Sequence, residues 1–190
     1  MSTKPALGRP RDADIDAAIL VATVELLAEV GYAELTMTAV AARAGTTKPA
    51  LYRRWPGKAH LVHEAVFPAQ DDELWPEGTD LRTSLRLMLA GAVELFSRPL
   101  VRAALPGLLS EFASHPALHE ALLRRFQADV WERMRARLAE SDEVRPDVDA
   151  DALVDLVAGA AFMAVTLRAT PTDDAWLDTS VDLLMRGISR

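Results

Sequence analysis

The chain has 190 residues, of which 50% are hydrophobic, and it contains no cysteine. This length can bury a sizeable core in one or two domains, and the lack of cysteine excludes disulfides, thiol nucleophiles and thiolate metal sites. The longest run without a charge, residues 156–167, is shorter than the roughly 20 residues that cross a bilayer, and no secretory signal is recognised, so we expect a soluble protein of the cytoplasm.

The formal net charge of −7 is distributed unevenly along the chain. Residues 1–60 hold 8 Lys and Arg against 6 Asp and Glu, whereas residues 61–190 hold 13 against 22. An acidic body with a mildly basic N-terminal end repels DNA except where the basic end meets it. The charge pattern therefore permits DNA binding through the N-terminal end alone.

A basic segment precedes the first predicted helix, with Arg9 and Arg11 on either side of a proline. It is either a plain tail or an arm that reaches a phosphate or the minor groove of DNA. Asp12 or Asp14 can cap the helix that follows, and Gly31 is expected at its C-terminal end. The predicted core stripe of this helix comprises Ile15, Ala18, Ile19, Ala22, Leu26 and Val30.

Residues 35–58 have the pattern of a helix-turn-helix. Thr36 can cap a short helix, and Gly45 supplies the backbone freedom that a tight turn requires. In the second short helix, Leu51 and Trp55 form an inward pair at i,i+4 spacing. The residues expected to point outward suit a helix that enters the major groove, and they are Lys48, Tyr52, Arg53 and Arg54.

Lys58 begins a further helix, where its charge opposes the helix dipole unless a phosphate lies nearby. His60 and His63 lie three residues apart on this helix, but no third ligand is in view, so a metal site is not expected. Residues 68–80 combine prolines, glycine and acidic residues, which indicates a linker or loop. We therefore predict a DNA-binding domain with a basic arm over residues 1–60 and a helical regulatory and dimerisation domain over residues 61–190.

Three amphipathic helices are predicted after the linker, beginning near Leu81, Pro99 and Pro116. Since no segment alternates as a strand does, the predicted fold class is all-α, with about nine helices. Aromatic and methionine side chains on facing helices can enclose a cavity for a small hydrophobic or amphipathic molecule, although each residue taken alone is more often plain core. The candidate pocket residues are Met88, Phe96, Phe112, Phe126, Trp131, Phe162, Met163 and Thr166.

The last two predicted helices cover residues 149–168 and 173–188. The first carries small and apolar residues over much of its circumference. One monomer covers only one side of such a helix, so a second copy of the chain is expected on the other side. We predict a two-fold four-helix interface whose residues are Leu156, Gly159, Ala160, Met163, Trp176, Val181 and Leu184.

Together these features resemble the TetR (tetracycline-repressor-like) family of transcriptional regulators. The family pattern extends over roughly the first 65 residues and includes Gly31-Tyr32, Thr36, Val40-Ala41, Ala44-Gly45, Leu51-Tyr52, Trp55 and Lys58. Beyond residue 70 only the layout matches. The resemblance implies a homodimer on a palindromic operator in double-stranded DNA, with reading helices about 34 Å apart. It also implies a small-molecule effector that binds the C-terminal domain and releases the repressor.

The resemblance places the family's base and phosphate contacts on the helix-turn-helix. Two positions depart from common family choices, because Pro49 replaces a frequent glycine and Arg53-Arg54-Trp55 replaces a more usual histidine and phenylalanine. Either arginine can bind guanine while the other grips a phosphate. With the arm and the capping threonine included, the predicted DNA contacts are Arg9, Arg11, Thr36, Thr38, Thr47, Lys48, Pro49, Tyr52, Arg53, Arg54 and Lys58.

Two other classes of function remain as alternatives. An activator, or a regulator without a ligand, would share this fold, because the sequence does not fix the sign of regulation. A metal-dependent enzyme would need a site such as His115 and His119 beside Glu111 and Glu120. No nucleophile with a plausible base accompanies these residues, so we expect no enzyme activity, no metal and no cofactor. We also expect no membrane partner, because no uncharged run is long enough to cross a bilayer.

Overall fold

The computed structural model describes residues 9–67, 76 and 78–190, without the side chains of residues 9–13, 119, 121 and 123–129. This part of the chain contains nine α-helices, a π-helix and an isolated bridge between Val144 and Ser189, so the all-α fold class is confirmed. The helices are α1 Arg9–Glu34, α2 Met37–Arg43, α3 Lys48–Tyr52, α4 Lys58–Val66, α5 Leu81–Ser97, α6 Pro99–Ser114, α7 Pro116–Ala139, α8 Ala150–Phe162 with the π-helix Met163–Arg168, and α9 Asp174–Ile188. Most of the predicted linker lies outside the described residues.

A first compact unit contains α1 to α4 together with residues 103–122. Gly31 breaks α1 with a left-handed backbone (φ 73°), as predicted for the end of this helix. The buried face of α1 runs through Ile19, Ala22, Leu26 and Leu27 and packs against α2 and α4. The predicted stripe is partly wrong, because Ile15, Ala18 and Val30 are exposed.

A second compact unit contains residues 70–102 and 123–190, so α6 and α7 each contribute residues to both units. Its core is formed mainly by α5, α8 and α9, and it includes Leu85, Leu89 and Val157. Arg86 of α5 donates to Asp174 at 2.5 Å and to Asp178 at 2.8 Å, which fixes α9 beside α5. The predicted boundary between residues 60 and 61 stays a prediction.

The segment Ala150–Arg168 is a continuous helical stretch of 19 residues with a mean hydropathy of 1.7. By length and composition alone it is apolar enough to cross a membrane, which the length of the uncharged run, residues 156–167, did not predict. The expectation counted only uncharged runs, whereas this helix continues past Asp151 and Asp155. About 33% of the segment is buried within the protein, and core helices of soluble proteins have the same composition.

Candidate functional site

The two short helices α2 and α3 form the predicted helix-turn-helix. Thr36 caps α2, because its hydroxyl accepts a hydrogen bond from the backbone N–H of Ala39 at 3.1 Å. Gly45 then turns the chain with a φ of 64°, and the N–H of Thr46 donates to the carbonyl of Ala41 at 2.9 Å. The geometry of this segment was therefore predictable from its sequence.

The inward pair of the second helix is also confirmed. Leu51 is fully buried, and Trp55 is buried with its indole Nε1 donating to the Oε2 of Glu64 at 3.1 Å. This anchoring leaves the opposite side of α3 facing solvent. Of the predicted DNA contacts, the ones with exposed side chains are Thr36, Thr38, Thr47, Lys48, Pro49, Tyr52 and Arg53.

Several of these exposed side chains carry hydrogen-bonding or charged groups that a ligand could contact. Thr47 occupies the N-cap position of α3, yet its hydroxyl makes no capping hydrogen bond. The ammonium of Lys48 lies 5.8 Å from the ring centroid of Tyr52, which is 46% exposed. The surface of α3 thus combines a hydroxyl, a phenol and two cations, Lys48 and Arg53, a combination that can bind phosphates and the edges of bases.

Arg54 differs from Arg53, and the prediction that it points outward is wrong. Its side chain is only 14% exposed, because its Nε forms an ion pair with Asp16 of α1. Its Nη1 also donates to the carbonyl of Ala50 at 3.3 Å. The long side chain therefore lies against α1 and holds the reading helix in place, while Arg53 faces solvent.

Lys58 has partners within the protein that the sequence did not reveal. Its ammonium donates to the carbonyl of Tyr32 at 2.9 Å and to that of Ala33 at 3.4 Å, and it lies 4.4 Å from the ring centroid of Tyr32. These carbonyls follow the break in α1 at Gly31, where carbonyl groups lack helical partners. The charge that opposes the dipole of α4 thus stabilises the end of α1.

A second ion pair missed from the sequence joins α2 to α1. Arg43 donates to both carboxylate oxygens of Glu29, at 2.6 and 2.8 Å. This bidentate hydrogen bond lowers the pKa of Glu29 below its usual value. Fourteen residues separate the pair, so no local spacing rule could have found it.

The basic arm can be placed only in part. Arg9 and Arg11 lie in the first turns of α1, so the backbone is already helical where the sequence predicted a segment before the helix. Their side chains lie outside the described residues. Their predicted contacts with DNA therefore stay predictions.

The candidate pocket residues do not share one environment. The rings of Phe96 and Phe162 meet edge to face at 5.5 Å in the second unit, where Trp131 is half-buried and Met88 is buried in the core. The prediction that Met163 lines the pocket is wrong, because Met163 is 46% exposed to solvent. Phe112 belongs to the first unit. The side chain of Phe126 lies outside the described residues.

Among the described residues of the second unit, the buried polar atoms without a hydrogen-bond partner include the Nε1 of Trp131 and the Oγ1 of Thr166. A helical threonine usually donates to the carbonyl four residues earlier, which here is that of Phe162. Thr166 lies in the π-helix Met163–Arg168, a rare conformation that is frequent at functional sites. A ligand with hydrogen-bonding groups would satisfy such atoms.

A cavity of about 550 Å³ lies elsewhere in the second unit, around the loop between α7 and α8. None of the predicted pocket residues lines it, and its walls carry Arg135, Arg145, Asp149 and Asp151. Arg135 already pairs with Asp151 at 2.8 Å, and Asp149 caps α8. Most of the charged groups named in the walls of the cavity thus already have partners within the protein. In the described part of the chain, no group of three His, Asp or Glu residues could hold a metal ion.

The predicted dimer residues fall into three groups. Leu156, Gly159, Ala160 and Met163 are exposed along one side of α8 and the π-helix. Trp176 and Leu184 are half-buried against the core of their own unit. The prediction that Val181 lies on the outer surface is wrong, because it is 1% exposed within the monomer. The large apolar residue of α9 that is exposed is instead Leu183, at 66%.

Comparison with known proteins gives consistent matches along the chain. Residues 19–65 match the family described as "Bacterial regulatory proteins, tetR family", and residues 75–184 match "Tetracyclin repressor-like, C-terminal domain". A DNA-binding transcriptional repressor TetR of Mycobacteroides abscessus is 30% identical over 87% of this chain and 89% of its own length. An uncharacterized HTH-type transcriptional regulator of Mycobacterium tuberculosis is 29% identical over 99% of this chain and 93% of its own.

A solved structure extends the similarity to three dimensions. The TetR family transcription regulator SCO0332 superposes with a TM-score of 0.71 and 30% identity. The superposition covers 93% of this chain and 100% of that one.

The unpaired hydroxyl of Thr166 leads to a stability prediction. Replacing Thr166 with valine removes a buried polar group that has no partner, so we expect the free energy of unfolding to rise by about 1 kcal/mol. Thr179→Val is the matched control, because the hydroxyl of Thr179 donates to the carbonyl of Ala175 at 2.8 Å. Chemical denaturation of both variants measures the difference. A Thr166 variant that is less stable than the wild type would show that the hydroxyl has a partner.

Proposed function

The chain belongs to the TetR family of bacterial transcriptional regulators, and from this membership we propose that it is a homodimeric repressor that leaves a palindromic operator when a small molecule binds. The names of its relatives indicate a DNA-binding regulator and no class of enzyme. The observation that carries the proposal is the surface of α3 and its C-terminal end, where Lys48, Tyr52 and Arg53 are exposed while Leu51 is buried. Its site of action is the bacterial cytoplasm.

Arg53 is the residue that reads bases in this proposal. Its side chain is exposed, whereas Arg54 is held against α1 by Asp16. An exposed guanidinium can donate to O6 and N7 of one guanine in the major groove. Thr47, Lys48 and Tyr52 surround it with groups that bind phosphates and fix the orientation of the helix.

A second copy of the chain covers the exposed apolar side of α8 and the π-helix. Leu156 and Leu167 are each 62% exposed there, and Leu183 adds apolar surface from α9. A Cβ atom added to Gly159 would meet nothing within 4 Å outside its own helix, so a partner helix can approach this backbone closely. Two copies joined along this side would present two reading helices to the operator.

The effector binds in the second unit, among Phe96, Trp131, Phe162 and Thr166. The aromatic rings offer an apolar surface, and the unpaired indole N–H and hydroxyl offer hydrogen bonds. The apolar rings and these two hydrogen-bonding groups together favour an amphipathic molecule with at least one hydrogen-bond acceptor. Such a molecule releases DNA only if it binds the conformation that cannot span the operator more tightly than the one that can.

Selection from a pool of random DNA duplexes tests the proposal directly. We expect the protein to enrich palindromic sequences whose half-site centres are about 10 base pairs apart, one turn of the double helix. Enrichment of no sequence over the starting pool would contradict the proposed function.

Removal of the exposed arginine is expected to weaken operator binding. Arg53→Ala should cost roughly 1 to 3 kcal/mol of binding free energy and relax specificity at one base pair. Arg133→Ala, which removes an exposed arginine from α7, is the control and should bind as the wild type does. A gel-shift titration on the selected duplex measures both. Arg54→Ala should differ by also lowering the melting temperature, because it breaks the ion pair with Asp16.

The proposed dimer can be broken at Gly159. Gly159→Arg places a long charged side chain on the apolar side of α8 without a clash in the monomer, so we expect a folded monomer in sedimentation. Gly91→Arg is the control, because Gly91 is an exposed helical glycine that is equally unobstructed. A Gly159 variant that sediments like the wild-type dimer would rule out this interface.

A further inference from the structure

The aromatic ring of Tyr32 lies directly on the backbone of α6 at Gly107. A Cβ atom at position 107 would lie closer than 3.0 Å to the Cγ, Cδ1 and Cε1 atoms of the ring, a separation that real Cβ atoms essentially never have. Only glycine therefore permits this contact. Both residues belong to the first compact unit, and Tyr32 is buried.

The same ring also holds Lys58. The lysine ammonium lies 4.4 Å from the ring centroid and donates to the carbonyls of Tyr32 and Ala33. A cation at this distance is attracted by the electrons of the ring. An ammonium has three N–H donors, so two carbonyl partners leave one donor for a phosphate oxygen. The position of the Tyr32 ring thus decides where that donor lies.

The hydroxyl of Tyr32 is buried, and Glu111 of α6 lies close to it. Burial, together with the charge of Glu111, raises the pKa of Tyr32 far above its usual value, so the ring remains neutral in the physiological range. One turn of α6, from Gly107 to Glu111, thus lies along the Tyr32 side chain from its ring to its hydroxyl.

We propose that Gly107 is a positioning residue for DNA binding: by seating the Tyr32 ring, it places the ammonium of Lys58 for contact with a phosphate of the operator. The inference rests on the proposed function, since it assigns an origin to one of the DNA contacts.

A substitution at Gly107 tests the proposal. Gly107→Ala would by itself favour the helix, because alanine has the higher helix propensity, so any loss of binding must come from the displaced ring. We expect about a tenfold loss of affinity for the selected duplex, a coupling typical of residues in contact. We also expect the slope of log affinity against log salt to fall by about 1, the value of one phosphate contact. Gly91→Ala is the matched control and should change neither quantity.

A double variant separates this positioning role from general damage. Tyr32→Ala removes the ring, so it should lower the salt slope as Lys58→Ala does, and adding Gly107→Ala to it should change affinity by less than about twofold. Equal losses from Gly107→Ala with and without Tyr32 would overturn the inference, as would wild-type affinity and slope in Gly107→Ala. If Gly107→Ala alone fails to fold because the added Cβ clashes with the Tyr32 ring, a folded variant with both Tyr32→Ala and Gly107→Ala supports the inference, and an unfolded one overturns it.

DNA binding by the wild-type protein distinguishes failure of the proposed function from failure of the inference about Gly107. If the wild type selects no DNA sequence, the proposed function fails and this inference fails with it. If the wild type binds its selected duplex and loses affinity on Arg53→Ala, but is indifferent to Gly107→Ala, only the inference is overturned.

Discussion

The end of the first helix is the constraint on which the DNA-binding unit depends. Gly31 turns the backbone into a left-handed conformation, and the carbonyls that follow it cannot find helical partners. Lys58 satisfies two of them from the start of α4, 25 and 26 residues further along the chain. Because α2 and α3 lie between these two points in sequence, the contact closes the loop that contains the helix-turn-helix.

The neighbouring arginines at the C-terminal end of α3 have different environments. Arg54 pairs with Asp16 and lies against α1, so it contributes to the position of α3 and has little surface to offer. Arg53 has its side chain in solvent, one residue earlier. Successive residues on a helix point about 100° apart, so a scaffold on one side can hold one cation and leave its neighbour exposed. Of two adjacent positions, one thus holds the end of α3 against α1 and the other faces solvent.

The second unit has an exposed apolar surface and buried polar atoms without hydrogen-bond partners among the described residues. Its helix Ala150–Arg168 buries one side against α5 and leaves leucines on the other side in solvent. Its interior contains a hydroxyl and an indole N–H without partners. Exposed apolar surface and unpaired buried donors both cost free energy in the isolated monomer. A partner subunit on the apolar side and a small molecule bound in the interior would remove these costs.

Local sequence patterns were enough to predict the all-α fold, the helix-turn-helix and the inward pair of Leu51 and Trp55, because caps, glycine turns and helical periodicity act over a few residues. Packing between distant segments established the rest: Arg54 is held by Asp16, Lys58 serves the end of α1, and Gly107 seats Tyr32. Packing also turned Leu183 outward where Val181 was expected. These outcomes depend on contacts between residues far apart in the chain, and a local pattern contains no record of which side of a helix another helix will cover.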